Sequence, residues 1–164
     1  MKVREDEVEF ADGTKGIYGV VDKPDGALII PKLSHDQYVL IRIHRYTTGK
    51  SAWEFPCGCV EDVQMKPEEI ARRELQEETG YLAERMTILA SLYSSDGYAS
   101  QMMHAFLAEH LTSGQPKPDS GELGIEIKTF SSEEIERMIM DGNITDAQSV
   151  AAWGVLRIRE RNHA

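Results

Sequence analysis

The chain has 164 residues, of which 41% are hydrophobic and 28% charged, and its formal net charge is −10. This is enough chain to bury one core, and the composition excludes wholesale disorder. An acidic chain is a poor non-specific nucleic-acid binder, because that binding needs a basic surface. The charged N-terminus lacks the apolar stretch of a signal peptide, and no apolar run reaches the roughly 20 residues of a membrane helix. We therefore expect a cytoplasmic protein with no nucleic-acid or membrane partner.

The first part of the chain alternates short apolar runs with turns and is predicted to be β-structure. Strands are expected at residues 8–10, 16–21, 27–30, 37–46 and 53–55. The Asp12-Gly13 turn joins the first two strands as an antiparallel hairpin. In the long fourth strand, Tyr38 and Leu40 are expected on one face and Val39 and Ile41 on the other.

The first helix is predicted to begin at Pro67 and to end before Gly80. Proline is favoured at the first helical position and glycine just beyond the end. After it, strands are expected at residues 86–93, 102–108 and 125–130, with a loop at 112–121. Predominant strands punctuated by helices indicate an α+β class or a mixed-sheet sandwich.

Two helices are predicted near the C-terminus from possible capping boxes. Ser131 with Glu134 begins the first, which ends near Gly142, and Thr145 with Gln148 begins the second. The apolar face of the second helix is expected to consist of Val150, Trp153, Gly154 and Ile158.

Three carboxylates in the first helix lie on the face that its apolar residues would bury. At about 100° per residue, Glu74, Glu77 and Glu78 share an arc of about 100° with the apolar positions. Like charges repel at this spacing, and half-buried carboxylates without partners are costly. A hard divalent cation with oxygen ligands removes both penalties.

Two plainer interpretations of this helix are weighed against a metal site. A glutamate-rich helix usually has a solvated acidic face, but here Glu69, Arg72 and Gln76 already occupy the solvent side. A structural Arg73–Glu77 pair one turn apart accounts for only one of the three acids.

The residues from Arg73 to Tyr81 resemble the second half of the Nudix box, R-E-U-x-E-E-x-G-U, in which U is apolar. Upstream, Trp53–Gly58 resembles the W-E-L-P-A-G segment of the ADP-ribose pyrophosphatase branch, and Leu40–Tyr46 resembles its L-V-R-Q-Y-R strand. Residues 104–108 and 142–147 are also similar to that branch. The resemblance implies a single domain over residues 1–164 with a Nudix-like α/β/α sandwich, a mixed sheet and an N-terminal antiparallel hairpin at 1–22. Those first strands could form a homodimer.

The resemblance also implies a reaction, in which water attacks the diphosphate of a nucleoside diphosphate linked to another group. ADP-ribose or a related ADP-sugar is the expected substrate, and Mg²⁺ the expected cofactor, with Mn²⁺ able to substitute. By the same resemblance, the metal ligands are Glu74, Glu77, Glu78 and the backbone carbonyl of Cys57. Glu78 is expected to be catalytic, with Arg73 orienting Glu77.

Further site residues follow from the family pattern. Glu122 is the first choice for a general base and Glu126 the second, and either could be an ordinary surface acid. Substrate contacts are assigned to Arg42, Arg45, Glu54 and Tyr98. For Glu54 a cross-strand salt bridge is the alternative, and for Tyr98 simple packing.

The chain departs from the family pattern before the helix. The box begins G-x5-E-x7-R-E, which places Cys59 at the glycine and Met65 at the first glutamate. If Gly58 is the glycine, one extra residue precedes the helix, and the glutamate is still absent. The expected S-P-G loop has Asp96 in place of proline.

These departures leave three hypotheses open. The first is a metal-dependent hydrolase of ADP-sugars, and the second a Nudix hydrolase for another nucleotide such as GDP-mannose. The third is a nucleotide-sugar binding or regulatory module with weak or no hydrolysis. Zinc is not expected, because Cys57 and Cys59 alone do not make a structural site.

Overall fold

A computed structural model describes residues 1–59, 65–115 and 124–163. Within these ranges the strands are β1 (Lys2–Glu9), β2 (Lys15–Asp22), β3 (Gly26–Ser34), β4 (Gln37–Arg45), β5 (Lys50–Glu54), β6 (Cys57–Cys59), β7 (Tyr81–Tyr93), β8 (Met102–Ser113) and β9 (Glu126–Phe130). The helices are α1 (Pro67–Thr79), α2 (Ser132–Met140) and α3 (Ala147–His163).

The N-terminal hairpin is a two-stranded antiparallel sheet of its own, as predicted. Strands β1 and β2 pair in register from Lys2 opposite Asp22 to Glu9 opposite Lys15. Hydrogen bonds attach the hairpin to the β7–β8 loop. Among them, the Val21 amide donates to the Tyr98 carbonyl at 2.7 Å, and the Tyr18 hydroxyl donates to the Gly97 carbonyl at 2.7 Å.

The main sheet is mixed and is organised around β3. This strand runs parallel to β8 on one side, whereas its other side pairs antiparallel with β6 at its start and with β4 at its end. Strand β7 continues the sheet beyond β8, while β5 and β9 pair with β4. Strands β6 and β4 therefore share one side of β3, with β6 beside residues 26–28 and β4 beside residues 32–34.

Helices cover both faces of this sheet. Ala27 and Ile29 of β3 pack with Ile70 and Leu75 of α1, whereas the alternate residues of β3 pack on the side of α2 and α3. A strand buried on both faces is expected to be apolar throughout, as β3 is over residues 27–30. The predicted α/β/α sandwich with a mixed sheet is confirmed.

Helix α1 has the predicted bounds. Pro67 is its first residue, and Gly80 follows its end with φ +74°, a conformation that suits glycine. The Gly80 amide donates to the Gln76 carbonyl at 2.9 Å and so closes the last turn.

The predicted start and buried face of the last helix need correction. The Ser149 amide donates to Oδ2 of Asp146 at 2.7 Å, so Asp146 is the capping residue, and the Thr145–Gln148 box is wrong. Trp153 is buried as predicted. Ile158 is half exposed and does not belong to the core, whereas Leu156 is buried. Asp146 caps better because its carboxylate reaches the third amide of the helix.

Several strand ends also differ from the sequence prediction. Strand β7 begins at Tyr81, directly after the helix-ending glycine, and β8 continues to Ser113 into the expected loop. Strand β5 ends at Glu54 and does not include Phe55. Residues 116–123, in the rest of that loop, lie outside the described residues. No helix in the described part of the chain is both long and apolar enough to cross a membrane.

Candidate active site

The acidic face of α1 points into the protein, as the helical periodicity predicts. Glu74 is 5% exposed and Glu78 is 4% exposed, alongside the core residues Ile70 and Leu75. Glu77 lies at the edge of this face, with its side chain 25% exposed. Burying two carboxylates on one helix is unfavourable unless partners compensate for the lost hydration.

Strand β6 provides the surface on which these carboxylates lie. The Cys57 amide donates a hydrogen bond to Oε2 of Glu78 at 2.9 Å. A Cβ atom added to Gly58 would lie 2.4 Å from the Glu74 carboxylate, a distance that real atoms do not adopt. Only glycine therefore lets β6 approach α1 this closely, which is one of the uses of glycine next to functional groups.

This contact bears on the two alignments of the Nudix box. Gly58, not Cys59, is the residue against Glu74, and this favours the alignment with one extra residue before the helix. Met65 packs against the core cluster under α1 as an apolar side chain. The altered segment at residues 60–64 lies outside the described residues.

Arg73 joins two of the three helix acids. Its guanidinium donates to Oε1 of Glu74 at 2.7 Å and lies 3.3 Å from Oε2 of Glu77. The predicted Arg73–Glu77 pair is therefore present, and Arg73 also holds the buried Glu74, which the sequence did not indicate. Charge-assisted bonds of this kind fix the orientation of both carboxylates.

A second buried carboxylate, Glu54, approaches the same strand from β5. Arg45 of β4 bonds both of its oxygens, one of them from Nε at 3.2 Å, so the salt bridge offered as the alternative for Glu54 is present. The Cys57 thiol lies 3.9 Å from Oε1 of Glu54 and 3.9 Å from the Arg45 guanidinium. Cys57 thus contacts Glu78 through its backbone and the Arg45–Glu54 pair through its side chain.

Burial and pairing change the pKa values of Glu54, Arg45 and Cys57. Burial raises the pKa of Glu54, and the pairing with Arg45 offsets only part of that rise. Burial opposes the charge of Arg45 as well, but the hydrogen bond and charge of Glu54 together raise the pKa of Arg45. Burial, with the nearby Glu54 and Glu78, also raises the pKa of Cys57, which keeps the thiol protonated.

Two other predicted residues pair with each other on the opposite face of β4. Arg42 and Arg45 are an odd number of residues apart, so their side chains point to opposite sides of the strand. Arg42 lies opposite Glu126 of β9, with 3.5 Å between Nη1 and Oε2. Glu126 also accepts from Lys128 at 2.6 Å, and this bond lowers the pKa of Glu126.

The remaining two candidates are Tyr98 and Glu122, and Tyr98 is not part of this cluster. Tyr98 lies with an exposed side chain in the β7–β8 loop, where its carbonyl holds the N-terminal hairpin. Glu122 lies outside the described residues. Their expected roles stay predictions.

The chemistry of the donor set suits a hard divalent cation. Carboxylates and backbone carbonyls are the ligands that Mg²⁺ and Mn²⁺ accept, and Glu74, Glu78 and the β6 backbone supply them side by side. Within residues 1–59, 65–115 and 124–163, no three His, Cys, Asp or Glu side chains are arranged as a metal-binding group. The convergence of Glu74, Glu77 and Glu78 on one ion thus stays a prediction.

The chain is similar in sequence to several known proteins over most of its length. The chain is 27% identical over 156 residues to an ADP-ribose pyrophosphatase of Bacillus subtilis (strain 168), covering 94% of this chain and 84% of that protein. It is 28% identical over 162 residues to a methanol dehydrogenase activator of Bacillus methanolicus, covering 98% and 86%. It is 30% identical over 140 residues to a GDP-mannose pyrophosphatase of Pectobacterium atrosepticum, covering 80% and 72%.

The fold agrees with a solved structure described as an ADP compounds hydrolase, with a TM-score of 0.87 and 22% sequence identity over 99% of this chain and 87% of that one. At that identity the likeness concerns the fold alone. A profile of the NUDIX domain matches residues 22–153, from the end of the hairpin to the middle of α3. The chain belongs to the NUDIX domain family.

Proposed function

We propose that this protein hydrolyses the diphosphate bond of a nucleoside diphosphate sugar, releasing a nucleoside monophosphate and a sugar phosphate. The observation that carries the proposal is the buried pair Glu74 and Glu78 against the backbone of Cys57 and Gly58. Buried carboxylates that destabilise a fold are typical of a site kept for chemistry. ADP-ribose is the first substrate to test, since a relative that aligns over most of the chain is an ADP-ribose pyrophosphatase.

The reaction is proposed to depend on Mg²⁺, with Mn²⁺ able to substitute. Glu74, Glu77, Glu78 and the carbonyl of Cys57 would hold the ion, because all four offer oxygen ligands around the junction of α1 and β6. When bound, a divalent cation neutralises the diphosphate and generates a water-derived nucleophile.

The two arginines of the cluster would position the acids and the substrate. Arg73 would hold Glu74 and Glu77 in place through the ion pairs that it makes with both. Arg45 would contact the diphosphate from its half-exposed side while remaining paired with Glu54. Glu122 remains our first choice for the general base, because Glu126 is held by Arg42 and Lys128 on the other face of β4.

A panel assay tests this function. The protein is incubated with ADP-ribose, other ADP-sugars and GDP-mannose, with Mg²⁺, with Mn²⁺ and with a chelator, and phosphomonoester release is measured. We expect release from at least one of these substrates, and its loss with the chelator. Absence of release from every substrate with either metal would contradict the proposal.

A second candidate is a binding or regulatory role without rapid hydrolysis. It is favoured by the absent first glutamate of the box, where Met65 or a neighbouring residue stands, and by the similarity to a methanol dehydrogenase activator. Tight binding of a nucleotide sugar without phosphomonoester release would favour this candidate.

We also propose that the protein forms a homodimer through its N-terminal hairpin. The hairpin buries little of its own apolar surface: Val3 is 72% exposed and Ile17 is 68% exposed, on one face of the two strands. Exposed apolar residues grouped in this way are typical of an interface. Light scattering of the wild type and of Ile17→Asp tests this, since a dimer should dissociate in the variant.

A further inference from the structure

A cavity of about 480 Å³ lies beside the Arg45–Glu54 pair. One wall is the turn from β4 to β5, and the other is the start of α3. Its lining consists of Arg45, Thr47, Thr48, Lys50, Ala52, Glu54, Thr145, Asp146 and Ala147.

Both walls of this cavity are held by hydrogen bonds. The Thr48 and Gly49 amides donate to the Arg45 carbonyl at 3.1 and 2.9 Å, which forms the turn. The Phe55 amide donates to the buried hydroxyl of Ser149 at 3.0 Å, which attaches the end of β5 to α3. The cavity is therefore a formed feature of the fold, as ligand sites usually are.

The cavity adjoins the proposed reaction site. Glu54 and Arg45 line it, and both contact the Cys57 thiol, while the amide of the same Cys57 binds Glu78. A substrate whose diphosphate lies at Glu78 can thus extend one end into the cavity.

The lining suits a ring that carries hydroxyl groups. Three threonine hydroxyls, two carboxylates and one ammonium line it, and Arg45 is already paired with Glu54. Among the described residues no aromatic ring lines the cavity, so it offers no surface on which a base could stack. A free phosphate would meet the carboxylates of Glu54 and Asp146, whereas sugar hydroxyls donate to carboxylates and accept from Lys50.

We propose that this cavity binds the sugar of the substrate through its hydroxyl groups, with Asp146 as the main acceptor and Lys50 and Thr47 as further contacts. The proposal rests on the proposed function, because it concerns the same substrate. Asp146 uses Oδ2 to cap α3, and in the described part of the chain its Oδ1 accepts no hydrogen bond, so one oxygen can receive a sugar hydroxyl.

The experiment compares two substrates that share the scissile bond, ADP-ribose and the β-methyl ester of ADP, which has no sugar beyond the diphosphate. Asp146→Asn keeps a good capping residue but removes the charge, and Thr47→Val removes an exposed hydroxyl with little change of shape. We expect kcat/KM for ADP-ribose to fall about tenfold in Asp146→Asn, since a hydrogen bond to a charged group is lost. The value for the methyl ester should change less than about twofold, because it never reaches the cavity.

Asp36→Asn is the matched control. Oδ1 of Asp36 accepts from the Ser132 amide at 3.1 Å at the start of α2, so the same chemical change is made at another helix, outside the cavity lining. Asp36→Asn should leave kcat/KM unchanged for both substrates. Equal losses for ADP-ribose and the methyl ester in Asp146→Asn and Thr47→Val, or no loss for either, would overturn the proposal.

Calorimetric binding separates this proposal from the proposed function. If the wild type hydrolyses neither these compounds nor any other substrate of the panel, the proposed function fails, and the affinities for the two compounds then test the cavity alone. Tighter binding of ADP-ribose than of the methyl ester, lost in Asp146→Asn, supports the sugar site. Equal affinities of the wild type for both compounds would overturn it.

Discussion

The two faces of strand β4 place the same kinds of side chain in opposite settings. On one face Arg45 pairs with Glu54, which is 3% exposed and contacts the strand that holds Glu78. On the other face Arg42 pairs with Glu126, where both side chains are exposed to solvent. Both pairs are a cross-strand arginine with a glutamate, and both arginines are half exposed, so only the burial of the glutamate and the neighbours differ.

We interpret this difference as the one between a functional ion pair and a surface one. Glu54 loses its hydration although Arg45 stays half exposed, and burying a carboxylate is unfavourable, so the presence of this pair calls for another reason. An exposed pair costs little and contributes little. We interpret the buried face as the active site and the other as solvated surface, and the following changes test that interpretation.

The largest expected effect is that of Glu78→Gln. The amide oxygen can still accept from the Cys57 backbone, so the fold should survive, but the negative charge needed to hold a cation is lost. We expect turnover of ADP-ribose with Mg²⁺ to fall at least about 100-fold. The control is Glu68→Gln on the same helix, because Glu68 is an exposed residue paired with Arg72. Unchanged turnover in Glu78→Gln would contradict the role of Glu78 as a metal ligand.

Gly58→Ala should reduce activity by about 10- to 100-fold, a range typical of disturbed support around a metal site. The added methyl group would displace the Glu74 carboxylate, which it would otherwise approach to 2.4 Å. Gly154→Ala in α3 is the control, because nothing lies within 4 Å of the position of its Cβ. Steady-state kinetics over a Mg²⁺ titration measures this effect. If Gly58→Ala has the same kinetics as the wild type, the position of the Glu74 carboxylate is not needed for activity.

Removing the arginine from each pair should affect stability unequally. Arg45→Met leaves the buried Glu54 without its partner and should lower the free energy of unfolding by about 3 kcal/mol. Arg42→Met removes an exposed partner of Glu126 and should cost less than about 1 kcal/mol. Urea unfolding at pH 7 measures both, and equal losses would remove the distinction between the two faces.

The smallest effects are the pH dependences of the two glutamates, which should have opposite signs. Burial raises the pKa of Glu54 in the folded protein. The favourable contribution of Glu54 to the free energy of unfolding is therefore complete below the pKa of the unfolded state and is lost as the pH rises through the pKa of the folded state. The hydrogen bond from Lys128 lowers the pKa of Glu126. The contribution of Glu126 to the free energy of unfolding is therefore present above the pKa of the unfolded state and is lost as the pH falls through the pKa of the folded state.

Unfolding curves from pH 3 to 7 for the wild type, Glu54→Gln and Glu126→Gln test these signs. Relative to Glu54→Gln, the wild type should lose free energy of unfolding as the pH rises. Relative to Glu126→Gln, it should gain free energy of unfolding over the lower part of the range. Slopes of the same sign for both differences would refute the pKa argument.

Local patterns predicted much of the fold because they depend on neighbouring residues. The bounds of α1 follow from Pro67 and Gly80, whose backbone preferences act over a single turn. The capping box at Ser131 and Glu134 was predicted for the same reason and is confirmed. The cap of α3 was misplaced by one residue, because both Thr145 and Asp146 are capping types and only packing decides between them.

The sequence by itself determined that three acids share the inward face of α1, since the period of a helix is independent of its surroundings. It could not determine whether Gly58 or Cys59 adjoins Glu74, because that contact joins β6 to α1 across a segment of altered length. Nor could it determine that Arg45 reaches the site while Arg42 faces away, which depends on the pairing of β4 with β5 and β9. Contacts between distant segments are set by register and packing, and these were decided only by the tertiary structure.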